Sequence, residues 1–447
     1  MTPCAEQLTF SFHQSTEVIA DFKGGLISSD AGLLPLRELD DRLGWTAALA
    51  ACLTDPRDPA KITHDLLTLV RQRLFGCAAG YEDANDHTRL RDDPILKTVT
   101  DRTLEDDLAS QPTLSRFENW VTAREVAEIN RLLVEHFIQR HRKRRLERII
   151  LDIDPTDDPC HGEQQLALFN AFYEQSMYFP LLVFERESGM LLGVRLRAGT
   201  VHGSHRVLQL IRPIVRRLRE GFPRAEIILR GDAGLAVPRL YDYCEAEGLG
   251  YLIGLAATAV LKERTEWALS WLSERFARDG RPHRHLGGLT HQAGTWARRR
   301  RLLYKVEVNA EGTNRRFVVT NLKGLPYHLW PLYEDRGTAE TFIDELKNGL
   351  KADRLSCSDF VANAFRLVLI ACAYNLLRAF RGTLVGTVFE HASIETIRTR
   401  LIKIGARVRQ TSRRIWVHLS SAFPWRDVLT RVMAAIQAIP RASPAGV

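Results

Sequence analysis

Three apolar runs in the middle of the chain constrain its fold more than anything else in the sequence. They are "RIILDIDP" (Arg148–Pro155), "AEIILRGD" (Ala225–Asp232) and "GYLIGL" (Gly250–Leu255), each nearly continuous in Ile, Leu and Val where it is not acidic. A strand with one wet face alternates apolar and polar residues, whereas one covered on both faces does not. The runs therefore predict buried central strands. Helical patterns stand between them in "SHRVLQLIRPIVRRLRE" and in "VPRLYDYCEAEG", the latter with Pro near its start and Gly at its end. "YFPLLVFERESGMLLGVRLRAG" reads as two strands around a Glu-Ser-Gly turn. The order is β-β-β-α-β-α-β, an α/β core.

Two of the runs carry carboxylates. Side chains alternate along a strand, so Asp152 and Asp154 point to the same face. A lone carboxylate on a buried strand is costly unless it is paired, protonated or metal-bound. The plain alternative is that Pro155 ends the strand and the Asp residues cap a turn. Asp232 follows the fourth strand in "GDAG", which alone is a common turn.

A third acidic stretch lies in "YEDRGTAETFIDELKNGLK" (Tyr333–Lys351), which reads as a helix. At 100° per residue, Tyr333, Arg336, Glu340 and Lys347 share an arc of roughly 60° if the helix begins near Tyr333, with Asp344 beside it. Ala339, Ile343, Leu346 and Leu350 line the neighbouring apolar face, and Glu334 and Glu345 are expected on the solvent side. The plain alternative is charge pairing at i,i+4 on a wet helix. Geometry favours Glu340, with Asp344 second.

Around this core the chain changes character. The first 145 residues read as mainly helical after a short hairpin over Leu8–Phe22, with Ser29 as an expected N-cap and "TLSRFENWVTAREVAEINRLLVEHFIQRHRKR" as one long helix or two. Residues 256–330 interrupt the core with a helix and a basic hairpin. "SDFVANAFRLVLIACAYNLLRAFRG" is a long helix, and a basic, partly helical tail closes the chain.

The 447 residues are 45% hydrophobic, enough for two or three domain cores, and their net charge of +8 favours a polyanionic partner. Much of the basic excess sits in four clusters: Gln139–Arg148, Arg216–Arg219, Arg298–Arg301 and Ala406–Arg414. Seven scattered cysteines without a CxxC pair argue against a disulfide framework or a zinc site and fit a reducing cytoplasm. "MTPCAEQLTF" lacks the charged and apolar regions of a signal peptide, and "FRLVLIACAYNLLRAF" reads as too short and polar to span a bilayer. No membrane partner is expected.

Three carboxylates from two strand ends and a helix can hold two divalent cations, with oxygen ligands suited to Mg²⁺ or Mn²⁺. Two such ions stabilise the attacking and leaving oxygens of a phosphodiester displacement. At this point the chain resembles the DDE transposases. The element order, the two Asp positions and the Y-x2-R-x3-E-x6-K spacing of Tyr333, Arg336, Glu340 and Lys347 are similar to those of a group of bacterial cut-and-paste insertion-sequence transposases. "GYEDANDHTRLRDDP", "RAGTVHGSH" and "LIKIGARVRQTSRRIWVHLSSAFPW" also look like one branch of that group, so the resemblance covers nearly the whole chain.

The resemblance implies an RNase H-like core with a mixed five-stranded sheet and a β-containing insertion. It also implies a mainly helical N-terminal DNA-recognition region and a helical basic C-terminal tail. The corresponding segments are 1–145 for recognition, 146–255 and 331–382 for the core, 256–330 for the insertion and 383–447 for the tail. Asp154, Asp232 and Glu340 would be catalytic and hold two Mg²⁺, with Mn²⁺ as substitute, while Tyr333, Arg336 and Lys347 would contact DNA. Asp154 fits better than Asp152 because Pro155–Thr156 follow it. The partners implied are double-stranded DNA, as transposon ends and target, and a second copy in a synaptic homodimer near the nucleoid. Some relatives place a Trp in the insertion to receive a flipped base, and Trp267, Trp271, Trp296 and Trp330 are open candidates.

Two other readings stand beside this one. "IILDIDPT" also matches the loop of haloacid-dehalogenase-like phosphatases, with Asp152 as nucleophile and Asp154 as acid/base, although "GDAGLAVP" lacks the second Asp of their later motif. A DNA-binding, non-catalytic descendant of a transposase is the other.

Overall fold

The computed structural model describes residues 7–442; Cys4 and most of the stretch read for a leader lie outside the described residues. The chain divides into two compact units, one formed by residues 1–120 with 376–447 and the other by residues 121–375.

The second unit contains the apolar runs. Its main elements in chain order are α1 (Ala123–His141), β1 (Arg148–Pro155), β2 (Leu181–Glu185), β3 (Leu191–Arg195), α2 (Val207–Gly221), β4 (Glu226–Gly231), α3 (Pro238–Ala246), β5 (Gly250–Leu255), α4 (Glu266–Asp279), β6 (His283–His291), β7 (Arg300–Asn309), β8 (Gly312–Thr320), α5 (Pro326–Glu334), α6 (Gly337–Asp344) and α7 (Phe360–Arg381), whose residues from Leu376 on belong to the first unit. The strands form one mixed sheet in the order β6-β7-β8-β5-β4-β1-β2-β3. The parallel strands β1, β4 and β5 lie at its centre, as their two-sided apolarity requires. The expected five strands become eight because β8 pairs antiparallel with β5 and brings β7 and β6 with it. Residues 283–320 thus extend the core sheet.

Pleating divides the work of β1 between its two sides. Ile149, Leu151 and Ile153 join one core with Val134 and Phe137 of α1, Ile211 and Ile214 of α2, and Leu240 of α3. Each such side chain, fully buried, contributes roughly 1.5–3 kcal/mol. On the other side, Leu252, Leu303 and Val318 pack against Leu329 and Trp330 of α5, and Phe184 meets Phe342 of α6 and Tyr374 of α7. Asp152 and Asp154 belong to this second side. The edge strand β3 is closed by amide side chains: Asn130 accepts from Val194 N–H at 2.8 Å, and Asn375 accepts from and donates to Leu191 at 2.9 Å.

In the stretch before β1, Thr122 splits the long helical pattern in two. It caps α1 with a reciprocal capping box to Glu125, after an earlier helix over Gln111–Trp120. The α7 region, Phe360–Leu384, is long and apolar enough by length and composition to cross a membrane, which the shorter run quoted from the sequence was not. As much as 83% of its most apolar window is buried by protein, as in a core helix.

The first unit joins the two ends of the chain. Strand Leu26–Ser28 pairs with Ala406–Thr411, which continues into a hairpin with Arg414–Leu419, so the tail holds a β-hairpin besides its helix Arg426–Gln437. Only glycine fits at residue 32, because a Cβ there would lie 1.8 Å from the Leu401 carbonyl oxygen. The helix Leu33–Leu43 begins at that glycine; Ser29 is not its cap and hydrogen-bonds Asp30 instead.

Candidate active site

The carboxyl ends of adjacent parallel strands are where an open α/β sheet gathers ligands. Here β1 and β4 lie in register with Ile153 opposite Gly231, which sets Asp154 and Asp232 side by side at those ends. Asp232 also accepts a hydrogen bond from Gly234 N–H at 3.0 Å, fixing its turn.

The helix expected to start near Tyr333 is broken. α5 ends at Glu334, α6 begins at Gly337, and a π turn over Glu345–Gly349 follows. Asp335 holds the junction, salt-bridged to Arg186 and, at 3.1 Å, to Arg230. Arg230 also donates to the Leu332 carbonyl. Glu345, where the π turn begins, is buried and not on the solvent side. Glu334 pairs with Lys305, and Asp344 accepts from Asn348.

Arg336 is the meeting point of the site. Its guanidinium donates to Asp154 at 2.6 Å and lies 3.7 Å from Glu340, one helical turn on. Burial pushes the Asp154 carboxyl up to about 7; Arg336 pulls against it, while the charges of Asp232, Asp152 and Glu340 push the same way. Tyr333 closes the other side. A Cβ on Gly254 of β5 would sit 2.7 Å from the Tyr333 hydroxyl and 3.0 Å from Ala233 N, so this glycine gives the phenol its room beside the Asp232 turn. Burial raises the Tyr333 hydroxyl above its ordinary value, with Arg336 opposing and Asp232 adding.

Asp154, Asp232, Glu340, Tyr333 and Arg336 are therefore brought together. Lys347 is set apart: it reaches the turn after β1, donating to Asp157 Oδ1 at 3.0 Å and to the Asp157 carbonyl at 2.9 Å. Asp152 is also taken. It receives both arms of Arg230 at 2.6 and 2.7 Å, with both side chains fully buried, so it is not free to act as a phosphatase nucleophile. Sequence reasoning missed this pair, although its signal was present: Arg230 is the one basic residue in an apolar strand, two positions before Asp232 as Asp152 is before Asp154.

Among the described residues, no three His, Cys, Asp or Glu side chains form a ready-made metal cage. The donor set nevertheless suits hard cations, because Asp154, Asp232 and Glu340 converge electrostatically on one positive group, Arg336.

The four tryptophans separate by burial. Trp296 and Trp330 are core residues, whereas Trp267 and Trp271 are exposed, edge-on to His285. The basic clusters separate too. Arg298 and Arg300 are spent on Glu245 and Asp242, and Arg301 on main-chain carbonyls. Arg407, Arg409 and Arg414 stay exposed on the tail hairpin, opposite or beside exposed Trp416.

No match is found among the curated proteins. Among solved structures, the chain is similar to a piggyBac transposase synaptic complex with hairpin DNA, at 10% identity and a TM-score of 0.44, over 84% of this chain and 80% of that one. It is also similar to the Mos1 transposase paired-end complex with left transposon end, at 14% identity and a TM-score of 0.18, over 50% of this chain and 74% of that one. A protein-family profile described as "Transposase DDE domain group 1" matches residues 10–441. With nearly its whole length matched, the chain belongs to the DDE transposase family.

Proposed function

We propose that the chain binds the terminal inverted repeats of its element and cleaves and rejoins DNA in cut-and-paste transposition, from an RNase H-like core over β1–β5. The observation that carries this reading is the convergence of Asp154, Asp232 and Glu340 on Arg336 at the ends of two parallel strands. Asp154, Asp232 and Glu340 would hold two divalent cations, Mg²⁺ or Mn²⁺. When bound, such ions supply charge stabilisation to both oxygens of the displacement.

The chain's own residues do the rest. Arg336 neutralises carboxylates that otherwise repel one another, and it stands ready for a phosphate oxygen. Tyr333 contacts the DNA strand beside the Asp232 turn. Lys347 steadies the turn after β1 through Asp157, and its charge adds to the surface facing the backbone. The exposed arginines of residues 406–414 give the tail hairpin a phosphate-binding face, and the helical region before residue 145 takes part in reading the ends. Two ends must be cut together, so the working form is a homodimer on DNA.

The test is cleavage of linear DNA carrying the inverted repeats, with Mg²⁺. End nicking by the wild type, lost in Glu340→Gln while DNA binding persists, is the expected result. Nicking unchanged in Glu340→Gln removes the assignment.

A further inference from the structure

Between β1 and β2 the chain makes a small hairpin, strands Leu168–Asn170 and Gln175–Tyr178, whose sequence "LFNAFYEQSMY" is aromatic where a solvent loop would be polar. Phe172 at its tip is 86% exposed and Phe169 60%. Single exposed apolar residues need no explanation, but Leu166, Leu168, Phe169, Phe172 and Tyr173 are all exposed within eight residues, and Phe172 and Tyr173 touch at the tip, where exposed apolar surface marks a binding site.

The tip is held in place. The Asn170 side chain accepts from the N–H groups of Phe172 at 3.0 Å and Tyr173 at 3.3 Å, and donates to the Gly199 carbonyl at 2.6 Å. Gly199 lets the hairpin press close, since a Cβ there would lie 2.1 Å from the Met177 carbonyl oxygen and 2.4 Å from that of Leu168. Phe172 packs edge-on to Tyr173, and Tyr173 meets Phe179, over which Arg197 lies. An aromatic held this way loses little entropy on binding.

Its place points to the ligand. Gln175 donates to Asp157, the partner of Lys347, at 3.4 Å. Asp157 lies three residues beyond Asp154, on the turn that Lys347 also holds, so the hairpin is anchored beside the proposed cleavage site; burial raises the Tyr173 hydroxyl, and the charges of Asp157, Asp232 and Asp154 add to it. A protein segment seated on Phe172 would crowd the approach to those carboxylates. A nucleotide next to the reacting phosphate would not, and every base offers a flat face to an aromatic ring.

We propose that this hairpin is a stacking platform on which Phe172, backed by Tyr173, receives a base adjacent to the phosphate at Asp154 and Asp232. The inference rests on reading that site as the place of DNA cleavage. Aromatic wedges of this kind unstack a base step and fix the strand beside it.

The experiment places 2-aminopurine at each of three nucleotides on either side of the cut in inverted-repeat duplexes. Binding is read in the Glu340→Gln background and cleavage with Glu340 intact, each for Phe172, Phe172→Ala and Phe172→Trp. The expected result is one position whose fluorescence responds with Phe or Trp and not with Ala. Cleavage at saturating DNA should fall roughly five- to 150-fold in Phe172→Ala, the worth of one stacked base when the stacking forms only as the phosphate is aligned for cleavage. Affinity should change far less, and Phe172→Trp should restore the rate. Identical fluorescence in all three proteins overturns the proposal, as does wild-type cleavage by Phe172→Ala. So does a change in self-association with the DNA signals unaltered, which would assign the patch to a second copy. Glu340-dependent nicking by the wild type upholds the site itself whatever happens at Phe172.

Discussion

Replacing Asp152 by Asn separates a structural carboxylate from a reacting one. The Asp152–Arg230 pair is fully buried and doubly bonded, at 2.6 and 2.7 Å. The neutral amide would leave the guanidinium in the interior with the Leu332 carbonyl and Asp335 as its remaining partners. Breaking one side of a buried pair costs about 3–5 kcal/mol, and here the surviving charge loses its bidentate counter-ion and keeps only Asp335, at 3.1 Å, as a charged partner. A domain the size of residues 121–375 moves by about 2–4 °C per kcal/mol, so melting should drop by about 6–20 °C. The control is Glu220→Gln, which removes an exposed partner of Arg217 at 3.1 Å and should cost about 1 kcal/mol at most. Joining Asp152→Leu to Arg230→Met should recover most of the loss, since apolar residues of similar volume replace buried ion pairs well. Circular dichroism melts at neutral pH, run beside a phosphomonoester assay, decide the matter. A melt within about 2 °C of wild type would refute the argument. Unaltered stability with lost phosphatase turnover would return Asp152 to the chemistry.

Gly254→Ala should push Tyr333 and the Asp232 turn apart, costing about 1–3 kcal/mol and cutting nicking more than DNA affinity; wild-type nicking would show that the contact is slack. Asp158 is buried with both carboxylate oxygens unpartnered, and burial, with the charges of Asp353 and Asp157, pushes it up to about 8 against Lys347 and Arg366. The folded chain thus keeps a proton that the unfolded chain loses at about pH 4. The stability it lends is full below about pH 4 and drains away as pH rises to about 8, with a ceiling of about 5 kcal/mol. Asp158→Asn should flatten that slope in urea melts, and identical slopes for variant and wild type would contradict it. DNA affinity should fall steeply with salt, and Arg407→Ala with Arg409→Ala should each lower the log–log slope by about one; an unchanged slope would take the tail hairpin off the DNA.

Much of the core was legible because burial on two faces writes itself into composition. The strand runs, the helices between them and the shared face of Asp152 and Asp154 follow from periodicity alone, and β1 to β5 form as read. What stayed hidden depends on partners distant in the chain. The break after Glu334 is held by Asp335, whose partners Arg186 and Arg230 lie 149 and 105 residues away. Nothing within Tyr333–Lys351 announces them. The π turn at Glu345 likewise defeats an angular argument built on 100° per residue. Of the three added strands, β7 and β8 were read as a hairpin and β6 was not, and their union with β5 is a matter of which sheet edge was open. The basic clusters looked alike in sequence; only the fold shows that Arg300 is buried against Tyr241 and Glu245 while Arg407 faces water.

The two faces of β1 and β4 also explain why a buried ion pair is tolerated beside the site. One face is wholly apolar and supplies cohesion. The other carries Asp152 and Arg230 opposite each other in register, an arrangement that adds little net stability over apolar residues of the same size. Its gain is positional. Arg230 holds Asp152 on the sheet and, with its remaining donor, the Leu332 carbonyl and Asp335 at the α5–α6 junction. Arg336 is the next residue, and Glu340 follows one turn later. The pair therefore sets where the helical carboxylate meets the two strand carboxylates. It follows that the Asp152→Leu, Arg230→Met double variant, though it melts near wild type, should nick DNA poorly, because the junction has lost its anchor. Full nicking by that stable double variant would mean that Arg186 alone positions Asp335 and that the buried pair has no part in aligning the site.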